Sequence, residues 1–313
     1  MRIRTIVNPS SSHGRTGVAW PRMVKALEAA VGEVEVAMTT GPQDATVRTR
    51  EALADAVDLV IAVGGDGTLN EVVNGFFAPP VGPEDTPLRP QTALAVLTSG
   101  TGGDFRKTFG ISHDLGSQVH RIAHGQTSAI DVGRVDCVDD DGTPCSRYFI
   151  NIASFGLSGL AVRAVNRAWL TKRISGSFAL FWAALTAALR YKLSPVRLRI
   201  DDAPAFESMI NTLAVCNGRY FGGGMHMAPM ARPDDGRFEF VLMHDMTKLD
   251  LIADPGAIYR GEHLAHPKVK VLSGRRLVAE PLAREVLLDV DGESPGRLPA
   301  TFTLVAEGIL LRC

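Results

Sequence analysis

Between residues 59 and 75 the sequence sets glycines, an acid and amides where an apolar strand turns into a helix. The run Leu59-Val60-Ile61-Ala62-Val63 is followed by Gly64-Gly65-Asp66-Gly67-Thr68-Leu69-Asn70-Glu71-Val72-Val73-Asn74-Gly75. Glycines at such a turn carry no Cβ that would hold a ligand away from the backbone. Their amides, with the N-terminus of a helix predicted to start near Thr68, make a site for an anion such as phosphate. One exposed helix end contributes only ~0.3–1 kcal/mol, so the site needs several donors or a metal. Asp66 sits in the middle of it, and a carboxylate there makes sense if a Mg2+ ion bridges it to phosphates. A ligand-free tight turn is the plainer account of a bare glycine pair. Twelve residues that join GGDGT to Asn70-Glu71 are far more specific. The turn is neither a Walker A loop, since no Gly-Lys-Ser/Thr follows, nor the GxGxxG dinucleotide fingerprint.

Two other acidic turns stand out. Asp291-Gly292-Glu293 puts two carboxylates two residues apart, close enough to couple and to lift one pKa; by spacing alone it reads equally as a hairpin turn with solvated acids. Asp234-Asp235-Gly236 precedes a predicted strand and reads as an Asp-Gly turn. Gly222-Gly223-Gly224 fits either a close backbone approach or a mobile loop. Residues 163–192 mix Arg163, Arg167, Lys172, Arg173, Arg190 and Lys192 with Trp169, Phe178, Phe181 and Trp182. Such a mixture suits a membrane interface, and equally two core helices with charged outer faces. His13, His226 and the other histidines show no ligand spacing and are read as structural. The four cysteines have no CxxC spacing, which argues against a zinc site or a disulfide framework.

The elements around these residues predict an α/β fold of two domains. A chain of 313 residues exceeds what one ordinary core fills. Its net charge of -1 gives no general attraction to nucleic acid. The N-terminus opens into a strand-like run with no signal core, and the longest apolar stretch, Phe178 to Leu189, is shorter than the ~20 residues of a membrane span. Strands are predicted at 3–7, 34–38, 59–63 and 93–97, with helices at 18–31, 44–57 and from Thr68, and a loop at 79–90. This β-α-β-α order implies a parallel sheet covered by helices. From about residue 130 the pattern becomes β-rich. Strands are predicted at 130–137, 148–153, 196–200, 210–216, 238–243, 269–272, 286–290 and 300–305, and helices at 159–193 and 247–259.

At GGDGTLNEVVNG the chain resembles the diacylglycerol kinase catalytic family, which includes bacterial lipid kinases and the sphingosine and ceramide kinases. The resemblance runs through nearly the whole length. Asn8-Pro9-Ser10 looks like the first-strand turn of that family. Ser99-Gly100-Thr101-Gly102-Gly103-Asp104-Phe105 is similar to its second glycine-rich turn. Ile130 to Val135 resembles the crossover, Phe149 to Gly156 the strand that follows, Asn217 to Gly236 the GGG…P…DDG segment, and Asp291-Gly292-Glu293 the C-terminal DGE. Gly103, Thr98 and Met230 depart from the usual asparagine, proline, and acidic or amide residue.

The resemblance implies an ATP-dependent lipid kinase, with an ATP-binding α/β domain at 1–129, joined by a C-terminal return at about 304–313, and a β-rich lipid domain at 130–303. It implies that Gly64, Gly65, Asp66, Gly67, Thr68, Leu69, Asn70 and Glu71 hold the ATP phosphates, that Thr39 and Thr101 line the nucleotide site, and that Asp66 organises a catalytic Mg2+. Glu293 is then the general base on the lipid hydroxyl, with Asp291 beside it. Asp235, with the backbone carbonyls of Arg232 and Arg237, falls where the bacterial branch holds a second, structural Mg2+. The expected substrate is diacylglycerol or a similar lipid met at a membrane surface by a cytoplasmic protein. A homodimer is compatible with these features, and no nucleic acid is expected. Alternatives are a kinase of another acceptor, such as a sphingoid lipid, and a non-catalytic nucleotide-binding regulator of the same fold. NAD kinases and phosphofructokinases share the GGDG turn but lack the later motifs.

Overall fold

Short apolar runs alternating with helices become, in the first part of the chain, a parallel sheet. The computed structural model describes residues 1–78, 85–98, 103–170 and 191–313. It divides into two units, Met1–Val132 with Val305–Cys313, and Gly133–Leu304.

In the first unit the elements run β1 (Ile3–Val7), α1 (Arg15–Val31), β2 (Glu35–Met38), α2 (Asp44–Ala54), β3 (Leu59–Val63), α3 (Asp66–Phe76), β4 (Ala93–Leu97), α4 (Asp104–Thr108) and α5 (Leu115–His124). The strand order is β2-β1-β3-β4, all parallel, with Ile3 opposite Leu59, Leu59 opposite Ala93 and Arg4 opposite Glu35. Every residue of β3 and β4 is buried, as a parallel strand covered on both faces requires. On one face Trp20, Met23 and Leu27 of α1 and Ile122 of α5 pack over Ile3, Val7, Ile61 and Val63. Elsewhere α2 and α3 pack together, and Gly75 permits their approach: a Cβ there would lie 2.5 Å from Thr49 Cβ and 2.8 Å from the Thr46 carbonyl oxygen. Strand β2 is an edge, guarded by ion pairs from Glu35 to Arg2 and Arg4.

The chain continues through β5 (Thr127–Val138), β6 (Pro144–Phe149), β7 (Ile152–Gly156), α6 (Leu157–Leu170), β8 (Ser194–Ile200), β9 (Phe206–Cys216), β10 (Phe238–His244), β11 (Val269–Gly274), β12 (Arg276–Pro281), β13 (Leu288–Val290) and β14 (Arg297–Arg312). Strand β9 organises the second unit. Its first half pairs with β8, its second half with β7, and its other edge with β10, all antiparallel. Beyond these, β12 pairs with β8 and with the first part of β14, and β13 pairs with β7. The core between them is rich in phenylalanine: Phe149 stacks on Phe238 at 5.6 Å and Phe155 on Phe302 at 5.8 Å. The last residues of β14 lie parallel to β4 in the first unit, Leu310 opposite Ala93.

This is the predicted α/β fold with a β-rich second part, and the differences are local. Residues 148–153 form two strands rather than one, because the backbone turns at Ile150-Asn151. The helix predicted over 247–259 is broken into Lys248–Ala253 and Ala257–Arg260 at Asp254-Pro255, where proline removes a donor. Helices α4 and α5 and strand β12 were not predicted; α5 starts at Asp114, whose carboxylate accepts the Ser117 amide at 2.7 Å. Strand β13 is shorter than the predicted 286–290. The predicted helix over 159–193 corresponds in its first part to α6, and residues 171–190 lie outside the described residues. So do 79–84 of the predicted loop. Among the described residues no helix is long and apolar enough to cross a membrane.

Candidate active site

The loops that follow β1, β2, β3 and β4 share the carboxyl edge of the parallel sheet, and the chain order reverses between β1 and β3. Ligands of open α/β sheets bind in that position. The Thr39 amide continues the β1 pairing by donating to the Val7 carbonyl at 2.8 Å. The Gly64 amide donates to the Leu97 carbonyl at 3.3 Å. Thr68 folds its hydroxyl beneath Gly64, where an added Cβ would come 2.5 Å from Oγ1, so residue 64 must be glycine. Asn8 Nδ2 donates to the same Oγ1 at 3.0 Å and ties the first turn to the third. Gly65 opens onto empty space, with nothing within 4 Å of a built Cβ. Helix α3 starts at Asp66, so the amides of Asp66, Gly67 and Thr68 have no carbonyl one turn earlier to bond.

The other members of the motif are inward-facing. The side chains of Leu69 and Asn70 are buried, so they can serve a ligand at the helix end only by holding the backbone. The carboxylate of Glu71 accepts the amides of Gln43 at 2.9 Å and Ala45 at 3.1 Å, which makes it the cap of α2. Its work is to fix the loop that carries Thr39.

Asp66 is mostly buried and its Oδ2 accepts the Asp104 amide at 2.9 Å. Burial first, and the neighbouring Asp104 carboxylate second, push its carboxyl above the ordinary range, against hydrogen bonds from the Asp104 and Phe105 amides and the pull of Lys107. Asp104 is itself buried and pairs with Lys107 Nζ at 2.7 Å. Two crowded acids beside an open helix end are hard oxygen donors of the kind a divalent cation takes, with Lys107 and Arg106 also within electrostatic reach of them. Thr101, expected in the nucleotide site, lies with 99–102 outside the described residues.

A second cluster forms in the other unit from three motifs far apart in sequence. Asp291 and Gly292 both take left-handed backbone, φ 49° and 90°. The carboxylate of Asp291 accepts the amides of Ile150 at 2.9 Å, Asn151 at 3.2 Å and Ile152 at 3.0 Å. It therefore clamps the β6–β7 turn, and its role is positioning. Asn151 in turn donates from Nδ2 to the Tyr220 carbonyl at 2.7 Å, and Asn217 Nδ2 donates to the Ile150 carbonyl at 2.8 Å. The Oδ1 of Asn151 is buried without a hydrogen-bond partner among the described residues. Glu293 is exposed at the tip, held by a backbone pair with Val290 at 2.8 and 3.0 Å.

Sequence reasoning missed Asp289. It is fully buried on β13, where its carboxylate accepts the Gly292 amide at 2.9 Å and the Ser154 hydroxyl at 3.2 Å. Burial, followed by Asp291 and Glu293, pushes its carboxyl up to about 7. The available signal was a single acid inside the apolar run Val286-Leu287-Leu288-Asp289-Val290, an unusual place for a charge.

Asp235 stands apart from this turn in the loop entering β10. It is exposed, and its Oδ1 accepts the Arg237 amide at 3.2 Å, while Arg232 pairs with Asp234 at 3.3 Å. Among the described residues no three His, Cys, Asp or Glu side chains are grouped to hold a metal. An ion at Asp235 would rely on backbone oxygens. Of the basic and aromatic residues expected to meet a membrane, Lys172, Arg173, Phe178, Phe181, Trp182 and Arg190 lie outside the described residues. Arg163 is engaged by Asp140 and by Ser294.

Comparison with known proteins agrees in both units. Residues 2–135 match the diacylglycerol kinase catalytic domain, and residues 151–311 match the YegS C-terminal NAD kinase beta sandwich-like domain. A protein of Staphylococcus epidermidis named diacylglycerol kinase is 31% identical over 303 residues, 96% of this chain and 88% of that one. A Staphylococcus saprophyticus protein of the same name is 30% identical, covering 96% of this chain and 92% of its own. Among solved structures, a diacylglycerol kinase from Bacillus anthracis str. Sterne has a TM-score of 0.69 at 21% identity over 99% of this chain and 96% of that one. Yeast NADH kinase complexed with NADH has a TM-score of 0.51 at 11% identity over 99% and 83%; at these identities both structures bear on fold alone. With the catalytic-domain motifs and the β-rich domain in their order along one chain, this protein belongs to the diacylglycerol kinase family of lipid kinases.

Proposed function

We propose that the protein transfers the γ-phosphate of ATP to the free hydroxyl of diacylglycerol or a similar lipid. The observation that carries this reading is the Asp66–Asp104 acid pair set against the open start of α3. The first unit is then the nucleotide domain. Gly64 and Gly65 clear the approach, the first amides of α3 receive phosphate oxygens, and Thr39 and Thr101 border the nucleotide. Asp66 would hold a Mg2+ ion, whose charge would offset that of the phosphates. Asp104 shares that task.

The second unit is the lipid domain. Glu293 accepts the proton of the attacking hydroxyl, and its exposure at the tip of the turn supports that role. Asp291 and Asp289 hold the turn in place from below. Asp235 with the carbonyls of Arg232 and Arg237 is a proposed structural Mg2+ site. The protein meets its lipid from the cytoplasmic side of a membrane.

The test is incubation of the purified protein with γ-labelled ATP, Mg2+ and a panel of diacylglycerol, monoacylglycerol, sphingoid base and ceramide in mixed micelles. Label entering diacylglycerol supports the proposal, and label entering a sphingoid lipid moves the acceptor. Mg2+-dependent ATP binding without transfer to any lipid would replace it with the regulator reading.

A further inference from the structure

Cys137 of β5 and Cys145 of β6 are directly opposite one another in an antiparallel pair. Both are free thiols, and their sulfurs are 3.1 Å apart. Neither belongs to the candidate active site. Cys137 is buried in the phenylalanine-rich core, whereas Cys145 is partly exposed at its margin. Burial and the adjacent thiol hold the Cys137 thiol strongly protonated.

From this geometry we infer that Cys137 and Cys145 form a modification site, a dithiol that a peroxide converts reversibly to a cross-strand disulfide. A disulfide has an S–S length of about 2.05 Å, so the sulfurs must close by roughly 1 Å between residues that face each other across the strand pair. The accessible Cys145 reacts first. Its thiolate attacks one oxygen of hydrogen peroxide, the O–O bond breaks, and the sulfenic acid and, after protonation, one water result. The Cys137 sulfur then attacks the sulfenic sulfur. The hydroxide that leaves takes the Cys137 proton, so two thiols and one peroxide give one disulfide and two waters. Cys137 supplies the resolving thiol that keeps oxidation from advancing to the sulfinic acid.

The site has a mechanical link to the acidic turn. Cys145 Sγ lies 3.8 Å from the Pro295 carbonyl oxygen, two residues after Glu293. Gly296 packs so closely on the β5 end that an added Cβ would stand 2.0 Å from the Val138 carbonyl oxygen. Drawing Cys145 toward Cys137 removes its contact with Pro295 and loosens the segment that follows Glu293.

The experiment treats the full-length protein with one to several equivalents of hydrogen peroxide, blocks remaining thiols, and maps non-reduced peptides by mass spectrometry. The expected product is a 137–145 disulfide with two thiols lost, restored by dithiothreitol. Amide hydrogen exchange at Glu293–Gly296 should be faster in the oxidised form. In Cys145→Ser no intramolecular disulfide should form at Cys137. A sulfinic acid on Cys145 with Cys137 still free, or oxidation confined to Cys216 or Cys313, would overturn the inference. None of these readouts depends on kinase activity.

Discussion

The two acid clusters use the same residue type under similar desolvation and reach different ends. Asp66 and Asp104 are packed side by side, with Lys107 on one of them, against amides at the starts of α3 and α4. Lys107 and Arg106 lie within electrostatic reach of this pair, and both acids sit beside the open start of α3. In the second unit Asp291 spends its charge on three consecutive amides, Asp289 is held toward the neutral form, and Glu293 stays at the surface. The first cluster sets two acids side by side at the start of a helix. The second sets one acid at the surface while its neighbours hold the backbone. What separates them is how many backbone donors and cations each acid meets, and primary structure does not state that number.

Substitutions that remove one member at a time sharpen the contrast. The largest effect is expected for Glu293→Gln, which should lower lipid phosphorylation by ~10²–10⁴-fold and leave Mg2+-ATP affinity almost unchanged by calorimetry. Retained transfer would remove Glu293 from the base role. Asp66→Asn should lower transfer by roughly 10²–10³-fold and, unlike the Glu293 change, weaken Mg2+-dependent nucleotide binding as well. If binding is untouched, Asp66 does not hold the Mg2+ ion.

Asp291→Ala should act on folding, since it leaves three amides of the β6–β7 turn without an acceptor. At ~1–3 kcal/mol for each buried group left unpaired, and with partial relaxation, a loss of about 3–5 kcal/mol in urea unfolding is expected. A loss under about 1 kcal/mol would show that solvent replaces the clamp.

Asp289 carries a pH signature. Its folded carboxyl titrates at about 7, above the 3.8 of an ordinary aspartate, so the folded state binds the proton more tightly than the unfolded chain. Its stability contribution is complete below about pH 4 and is lost progressively as pH rises to 7. Asp289→Asn keeps an acceptor for Gly292 and removes the charge. It should stabilise the protein at pH 8 by up to about 4 kcal/mol relative to wild type, with the gap closing toward pH 4. An equal offset at both pH values would refute the shifted titration. The smallest effect is expected at Glu71, where Glu71→Ala removes a helix cap and should cost about 1 kcal/mol with transfer reduced only modestly.

The fold was legible because its signals are local. Strands β3 and β4 were predicted to the residue, since a parallel strand covered on both faces must be apolar throughout and bounded by turn residues. The split of 148–153 was not legible. Ile150 is as apolar as its neighbours, and what turns the chain there is a carboxylate 141 residues away. Gly64, Gly65 and Asp66 stand out in the sequence by glycine spacing and an acid among amides, and the fold places them at the open start of α3. The duty of Glu71 could not, because its partners are backbone amides of another helix, and amides look alike in every sequence.

By itself the sequence determined a parallel α/β unit followed by a β-rich one, a glycine-rich turn after β3, and the family to which those motifs belong. These rest on periodicity, turn chemistry and close spacing, which act within a few residues. Tertiary structure alone decided which acids are positioning groups and which stays at the surface. It alone set Asp104 against Asp66, buried Asp289 under the Glu293 turn, and brought the sulfurs of Cys137 and Cys145 to 3.1 Å. Burial and proximity set both the pKa of an acid and the partner of a thiol, and neither exists until distant segments have packed.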